Sequence, residues 1–325
     1  MLGFIIRRLL VSIPLLLLAS FVVFVLVASS GDPLAPLRSN PAISEATIQA
    51  RAAELNLDKS IPERYGIWIS GVIAGDLGTS SVTREPVTEI LQRRMWVTVR
   101  LVGFATVLAV LAGVTIGVIA AIRQYSWFDH GATFFAFLFF SVPVFFMAAF
   151  LKDIGIRINE AVGRRIFFTV GEQTPRLDAN WFGMWSDRIG HLILPALTLI
   201  LIQMASWSRY QRSAMLETLN SDYVRTAKAK GLPQRKVMVN HALRNALIPV
   251  VTIVAIDFGA VIGGAVITET VFSWRGMGQL FVDSLFARDT DVLLGWLLVT
   301  SILVIFFNLI ADILYGYLDP RIRRV

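Results

Sequence analysis

Six stretches, each about as long as a bilayer-crossing helix, constrain this chain more than any other feature of its sequence. Residues 9–31, 101–122, 131–151 and 292–311 carry no charged side chain. Residues 189–208 carry only His191, and residues 245–268 only Asp257. A spanning helix needs ~20 consecutive apolar residues. In hydrocarbon every backbone polar group must be satisfied internally, and the chain lacks the alternation of a lipid-facing barrel strand. The expected fold is therefore an all-α integral membrane protein with six transmembrane helices. Composition agrees: 55% of residues are hydrophobic and only 16% charged, with a mean hydropathy of +0.66. The absence of cysteine excludes disulfides, thiolate metal sites and cysteine nucleophiles.

Arg7 and Arg8 ahead of the first run also fit a signal peptide. The run is longer than a typical signal core and no A-x-A site stands near Ala28, so a retained first span is expected. The same two arginines place the N-terminus in the cytoplasm. Six spans then return the C-terminus, with Arg321, Arg323 and Arg324, to that side. Counting Lys and Arg does not separate the sides, because long external segments translocate largely regardless of charge. The cytoplasmic segments are distinguished by few acids: Asp129, Glu217, Asp222 and Asp319. The net charge of +7 thus reads as membrane topology rather than nucleic-acid binding.

Three parts follow: a first span over 1–31, an external segment over 32–94 and a five-helix membrane core over 95–325 that includes the cytoplasmic loop 209–244. The external segment reads as a small cap. Ser44 is a plausible N-cap, with Ile48, Ala52 and Leu55 at helical spacing. Residues 67–73 are apolar enough to pack or to lie at the membrane interface, and Gly75-Asp76-Leu77-Gly78 reads as a turn. A surface helix without a substrate role fits this pattern equally well.

The block between the fourth and fifth runs, residues 209–244, holds 8 of the chain's 30 Lys and Arg residues. It reads as two short helices. Ser221 or Asp222 caps the first, Tyr223 to Lys230 fill it, and Gly231 supplies a left-handed stop. Pro233 suits the first turn of the second. Such a knob would offer Tyr223, Arg225, Thr226 and Lys230 to a partner's groove; a basic loop resting on lipid headgroups is the other reading.

Here the residues reach a family. The block resembles the EAA loop of ATP-binding-cassette importer permeases. Arg225-Thr226-Ala227 stands at the triplet, Lys228-Ala229-Lys230 leads to Gly231, and Ile248-Pro249 follows. Arg225 replaces the general acidic residue, and DYVRTAKAKGL is similar to the version in the oligopeptide, dipeptide and nickel permease subfamily. IIRRLLVSIPLLLL with Gly31-Asp32-Pro33, GDLGTSSVTREPVTEIL over 75–91, ETVFSWRGMGQL over 269–280 and NLIADILYGYLDPRIR over 308–323 continue the resemblance in order. Arg275 stands where proline is expected.

The resemblance implies a subunit of the bacterial cytoplasmic (inner) membrane that forms half of a translocation pathway for oligopeptides or dipeptides. It implies a second homologous permease, two ATPase subunits and an extracytoplasmic substrate-binding protein as partners. Tyr223, Val224, Arg225, Thr226, Ala227, Lys228, Ala229, Lys230 and Gly231 would form the coupling helix seated in an ATPase groove. ATP and magnesium would bind the partner ATPases and no cofactor this chain, which has no GxxxxGK[ST] loop. Neither a catalytic constellation nor a metal site is expected. HExxH is absent, and His130, His191 and His241 lie far apart in sequence.

Asp257 is a candidate for the translocation path, or a structural hydrogen-bonding group between helices. Gly113 and Gly117, and Gly259 and Gly263, stand at the spacing that lets helices approach closely. Pro143 and Pro195 are expected to bend their spans, and the phenylalanines of 134–146 to face lipid. Two alternatives stay open: a nickel or other small-solute permease of the same family, and an ion-coupled secondary transporter. The second would need an intramembrane relay for which Asp257 is thin support.

Overall fold

The computed structural model describes residues 2–29, 34, 38 and 42–318, without the side chains of 2–9, 260–264 and 315–318. Gly31-Asp32-Pro33, the C-terminal arginines, the arginine pair at 7–8 as side chains and the surroundings of Gly263 thus lie outside the described residues. Among those described there is no strand, only an isolated antiparallel bridge between Thr79 and Pro86.

The helices described are α1 Leu2–Ser29, α2 Glu45–Glu54, α3 Ile61–Ile73, α4 Val87–Ile122, α5 Trp127–Ser141, α6 Val144–Val162, α7 Trp181–Leu219, α8 Asp222–Ala229, α9 Arg244–Gly264, α10 Val266–Val271, α11 Met277–Ala287 and α12 Thr290–Leu318. A single turn, Gln234–Lys236, and a π-helical stretch, Val237–Leu243, lead into α9. Among the described residues, five helical segments are long and apolar enough to cross a membrane: Leu10–Ser29, Val87–Ile122, Trp181–Leu219, Gln234–Gly259 and Thr290–Leu314.

The sixth expected span is divided between two helices, as in a broken span or a re-entrant loop. α5 and α6 meet the apolar criterion only together and bend by 104° at their junction. Pro143 supplies the reason. It has no N–H to donate into α5 and forces the preceding residue out of helical geometry; Val142 has φ −81° and ψ 124°. Pro195 lies inside α7, which continues through it as helix. Phe134, Phe135, Phe137 and Phe140 are exposed, as lipid-facing bulk should be.

The chain divides into two compact units. One comprises Leu2–Trp96 and Leu280–Leu303. In it Ser44 caps α2, its hydroxyl accepting from the Thr47 N–H, and Ile48 is buried. α3 starts with a capping box that the Ser60-x-x-Glu63 spacing could have revealed. The Glu63 carboxylate accepts from the Ser60 hydroxyl at 2.7 Å and backbone N–H at 2.9 Å. These bonds, the hydroxyl's first, hold its carboxyl below the usual range. Tyr65 of α3 reaches α1, where its hydroxyl lies 2.9 Å from that of Ser20. The turn over 75–78 forms as expected, with Gly75 and Gly78 both at φ +87°. The buried Asp289 accepts from the Ser80 hydroxyl at 2.5 Å and the Ser81 N–H at 3.1 Å.

The other unit, Val97–Gln279 with Val304–Val325, contains the basic block. That block is far more helical than a loop. α7 continues to Leu219, and helix resumes at Gln234, leaving only short connections on either side of α8.

Candidate coupling site

α8 forms because its two apolar side chains stand three residues apart on an otherwise polar segment. Val224 and Ala227 are buried, while Tyr223, Arg225, Thr226, Lys228, Ala229 and Lys230 are exposed. The buried pair enters an apolar cluster with Ala214 and Met215 of α7, Ala121 of α4, and Val237, Ala242 and Ala246 beyond the knob. The knob is therefore seated on the end of α7 by its own core, with its basic face left outward.

Both ends of α8 are specified locally. Ser221 occupies the N-cap, although its hydroxyl donates to the Thr218 carbonyl at 2.6 Å instead of capping the helix. At the other end the Gly231 N–H donates to the Lys228 carbonyl at 3.0 Å and the Leu232 N–H to that of Ala227 at 3.4 Å. These two bonds make a Schellman stop, which requires the left-handed conformation that Gly231 adopts at φ +73°. Pro233 precedes the next helical turn as its N-cap.

Two devices tie α7 to its neighbours beneath the knob. Arg212 donates to Asp129 of α5 through Nε at 2.6 Å and Nη2 at 2.8 Å, a bidentate pair in which Asp129 is buried. Glycine packing supplies the other. A Cβ on Gly113 would stand 3.4 Å from the Met204 carbonyl oxygen and Ser208 nitrogen, and one on Gly117 only 2.6 Å from the Ser208 oxygen. Both expected packing glycines of α4 thus face α7. Gly259 faces α12, where a Cβ would lie 3.1 Å from that of Phe307.

Asp257 has a partner across the helices: the Trp207 indole N–H donates to its Oδ2 at 2.8 Å. This geometry fits the structural role weighed for it. Asp257→Asn keeps an acceptor for the indole and is expected to leave folding and transport near the unaltered level. Asp257→Ala strands a shielded donor, at a cost of about 1–3 kcal/mol. Melting temperature and transport measured on both variants test this. A folded but inactive Asn variant would mean that the charge itself serves the pathway.

The histidines do not come together as a cluster. His130 lies 2.8 Å from the Ser126 carbonyl, and the buried His191 lies 2.9 Å from that of Asp187 and packs against Phe168.

Glu269, the first residue of ETVFSWRGMGQL, is a site residue that the sequence reading does not single out. It is fully buried. Its carboxyl oxygens accept from the Thr98 hydroxyl at 2.6 Å and from the N–H groups of Gly278 at 2.7 Å and Gln279 at 3.2 Å. The Thr98 oxygen in turn accepts from the Met277 N–H at 2.7 Å. The start of α11 is thereby fixed to α4, and the segment between folds tightly: a Cβ on Gly276 would lie 2.4 Å from both Glu269 and Thr98 oxygens. An acid shortly before a Gly-x-Gly at a helix start was the available signal. Arg275 is exposed on this turn, so the missing proline does not prevent its formation.

Comparison with known proteins decides the family. Residues 113–324 match the model of the "binding-protein-dependent transport system inner membrane component", and residues 1–102 match the corresponding N-terminal model. The chain belongs to the binding-protein-dependent transport permeases. Among its relatives, the oligopeptide transport system permease protein OppB of Mycobacterium tuberculosis (strain ATCC 25618 / H37Rv) is 41% identical over 318 residues, covering 98% of each chain. AppB, an oligopeptide transport system permease protein of Bacillus subtilis (strain 168), is 41% identical over 99% of this chain and 100% of its own. The dipeptide transport system permease protein DppB of Escherichia coli (strain K12) is 38% identical over 99% of both. A solved structure of the MetNI methionine ABC transporter in inward-facing conformations matches with TM-score 0.54 at 15% identity. It covers 71% of this permease and 97% of the MetNI chain, a likeness of fold. The permease is thus an all-helical inner-membrane component, as its apolar helices require.

Proposed function

We propose that this permease forms half of the pathway of an ATP-driven importer for oligopeptides or dipeptides, and that residues 223–231 are its coupling helix. The observation that carries the reading is the knob itself. A short helix closed by the Gly231 stop, with a basic outward face, is anchored by Val224 and Ala227 to the end of α7. A partner holding that face gains leverage on a helix of 39 residues. The permease fold and the peptide permeases among its full-length relatives support the substrate class.

In this reading a second homologous permease completes the pathway, a substrate-binding protein delivers the peptide, and two ATPase subunits bind ATP and magnesium. The permease binds no nucleotide and performs no hydrolysis. Its termini and the knob face the cytoplasm. Nucleotide state and pathway conformation are linked only if the ATPases contact the knob differently in each state. The bond from Trp207 to Asp257 favours this reading over ion-coupled transport, because it assigns the acid a structural partner.

The test is mild-detergent purification of tagged permease from its native membrane, with mass spectrometry of accompanying proteins. A homologous permease and ATPase subunits are expected, and a co-purifying binding protein identifies the peptides to assay. Recovery of the permease alone, folded and without an ATPase, overturns the reading.

A further inference from the structure

Four side chains of α7 stand in single file at one-turn spacing: Gln203, Trp207, Gln211 and Met215. All four are buried. The last belongs to the core of the knob, and Trp207 is bonded to Asp257 of α9. Gln211, one turn from the knob core, is fully buried, yet neither Oε1 nor Nε2 has a hydrogen-bond partner among the described residues. Gln203 Oε1 is unpartnered as well, and so is the buried Thr106 hydroxyl of α4. Meanwhile Gly117 brings the α4 backbone so close that a Cβ there would lie 2.7 Å from that of Gln211.

A shielded, unpaired amide carries a desolvation cost that an apolar side chain of the same size would avoid. A second arrangement in which the amide finds partners or water removes that cost, which offsets by the same amount whatever packing is given up to reach it. We infer that Gln211 is a positioning residue for transport. Its amide is unsatisfied in the arrangement described here and satisfied in a second arrangement of α4 and α7, which the knob selects. The inference rests on the coupling reading above, because Met215 links the file to the knob. Gly117 sets the closed limit of the movement, and Trp207 with Asp257 marks the side of α7 held to α9.

Because the permease contains no cysteine, Gln211→Cys places a unique thiol on this chain. The assembled complex, purified with its ATPases, is treated with a small methanethiosulfonate reagent in nucleotide-free and vanadate-trapped states. The thiol is expected to react at least about tenfold faster in one state, equivalent to ~1.4 kcal/mol. Met215→Cys, surrounded by the apolar core, is expected to stay unreactive in both. Should the 211 variant not assemble, Gln203→Cys reads the same file two turns away.

Equal reactivity of the seam thiol in the two states, with ATPases bound, overturns the inference and leaves the coupling reading standing. Failure of the unaltered permease to retain ATPases sinks both.

Discussion

Val224→Asp is expected to release the proposed ATPase partners from the permease while leaving its membrane helices folded. Val224 is fully buried in the core that seats the knob, against residues of α7 and of the helix beyond. An aspartate there has no cationic partner within the apolar cluster. A buried unpaired charge costs several kcal/mol. An eight-residue helix has little independent stability with which to resist it. The knob should therefore detach rather than hold a charge in its core. Recovery of ATPase with tagged permease should fall by an order of magnitude or more.

The comparison that gives this meaning is Arg225→Ala on the exposed face. It removes a side chain paired loosely with Asp222 at 3.6 Å and leaves the core intact. Its effect on permease stability should be within ~0.5 kcal/mol, so any loss of ATPase recovery there reports direct contact. Normal recovery from the Val224→Asp variant would mean that the ATPases dock elsewhere.

Glu269→Ala should prevent the permease from accumulating in folded form. The carboxyl group is the acceptor for three donors, on Thr98, Gly278 and Gln279. Its removal leaves them shielded from water and opens a hole where Gly276 and Gly278 come closest. Breaking a buried polar constellation of this kind costs about 3–5 kcal/mol, a large share of the net stability of most folded proteins. Glu269→Gln is nearly isosteric and more informative. Its carbonyl oxygen can serve the α11 amides while its NH₂ group donates to the Thr98 oxygen, which has a second lone pair to accept it. It should therefore retain much of the stability that alanine loses. Membrane abundance and melting temperature in detergent measure both variants, and a Gln variant no more stable than alanine would contradict the network.

Much of this architecture is legible without coordinates because its determinants are local. An uncharged run of about 20 residues has few options in a bilayer. Ser44, the glycine turn near residue 75 and Gly231 each shape backbone within a few residues of themselves, and each does so here. The composition of α8 likewise divides its inward from its outward face before any neighbour is known. The helical continuity of the basic block was less legible. The polar residues of 209–219 sit on the extension of α7, where burial against α4 and α5 overrides their resemblance to loop composition.

What only the tertiary structure decided depends on residues distant in the chain. Asp129 and Arg212 are 83 positions apart, Trp207 and Asp257 50, and Thr98 and Glu269 171. No local propensity carries such pairings, because they arise when helices pack and shielded polar atoms must find partners. Pro143 announced a bend, but its size, 104°, and the packing of α5 and α6 against α7 are visible only in the folded chain. The unpaired amide of Gln211 belongs to this second class as well. The sequence by itself determined most of the helices long and apolar enough to cross a membrane and where the knob begins and ends, through hydrophobic length and backbone conformation. The packed fold decided which polar side chains brace those helices, because only in three dimensions do donors meet acceptors.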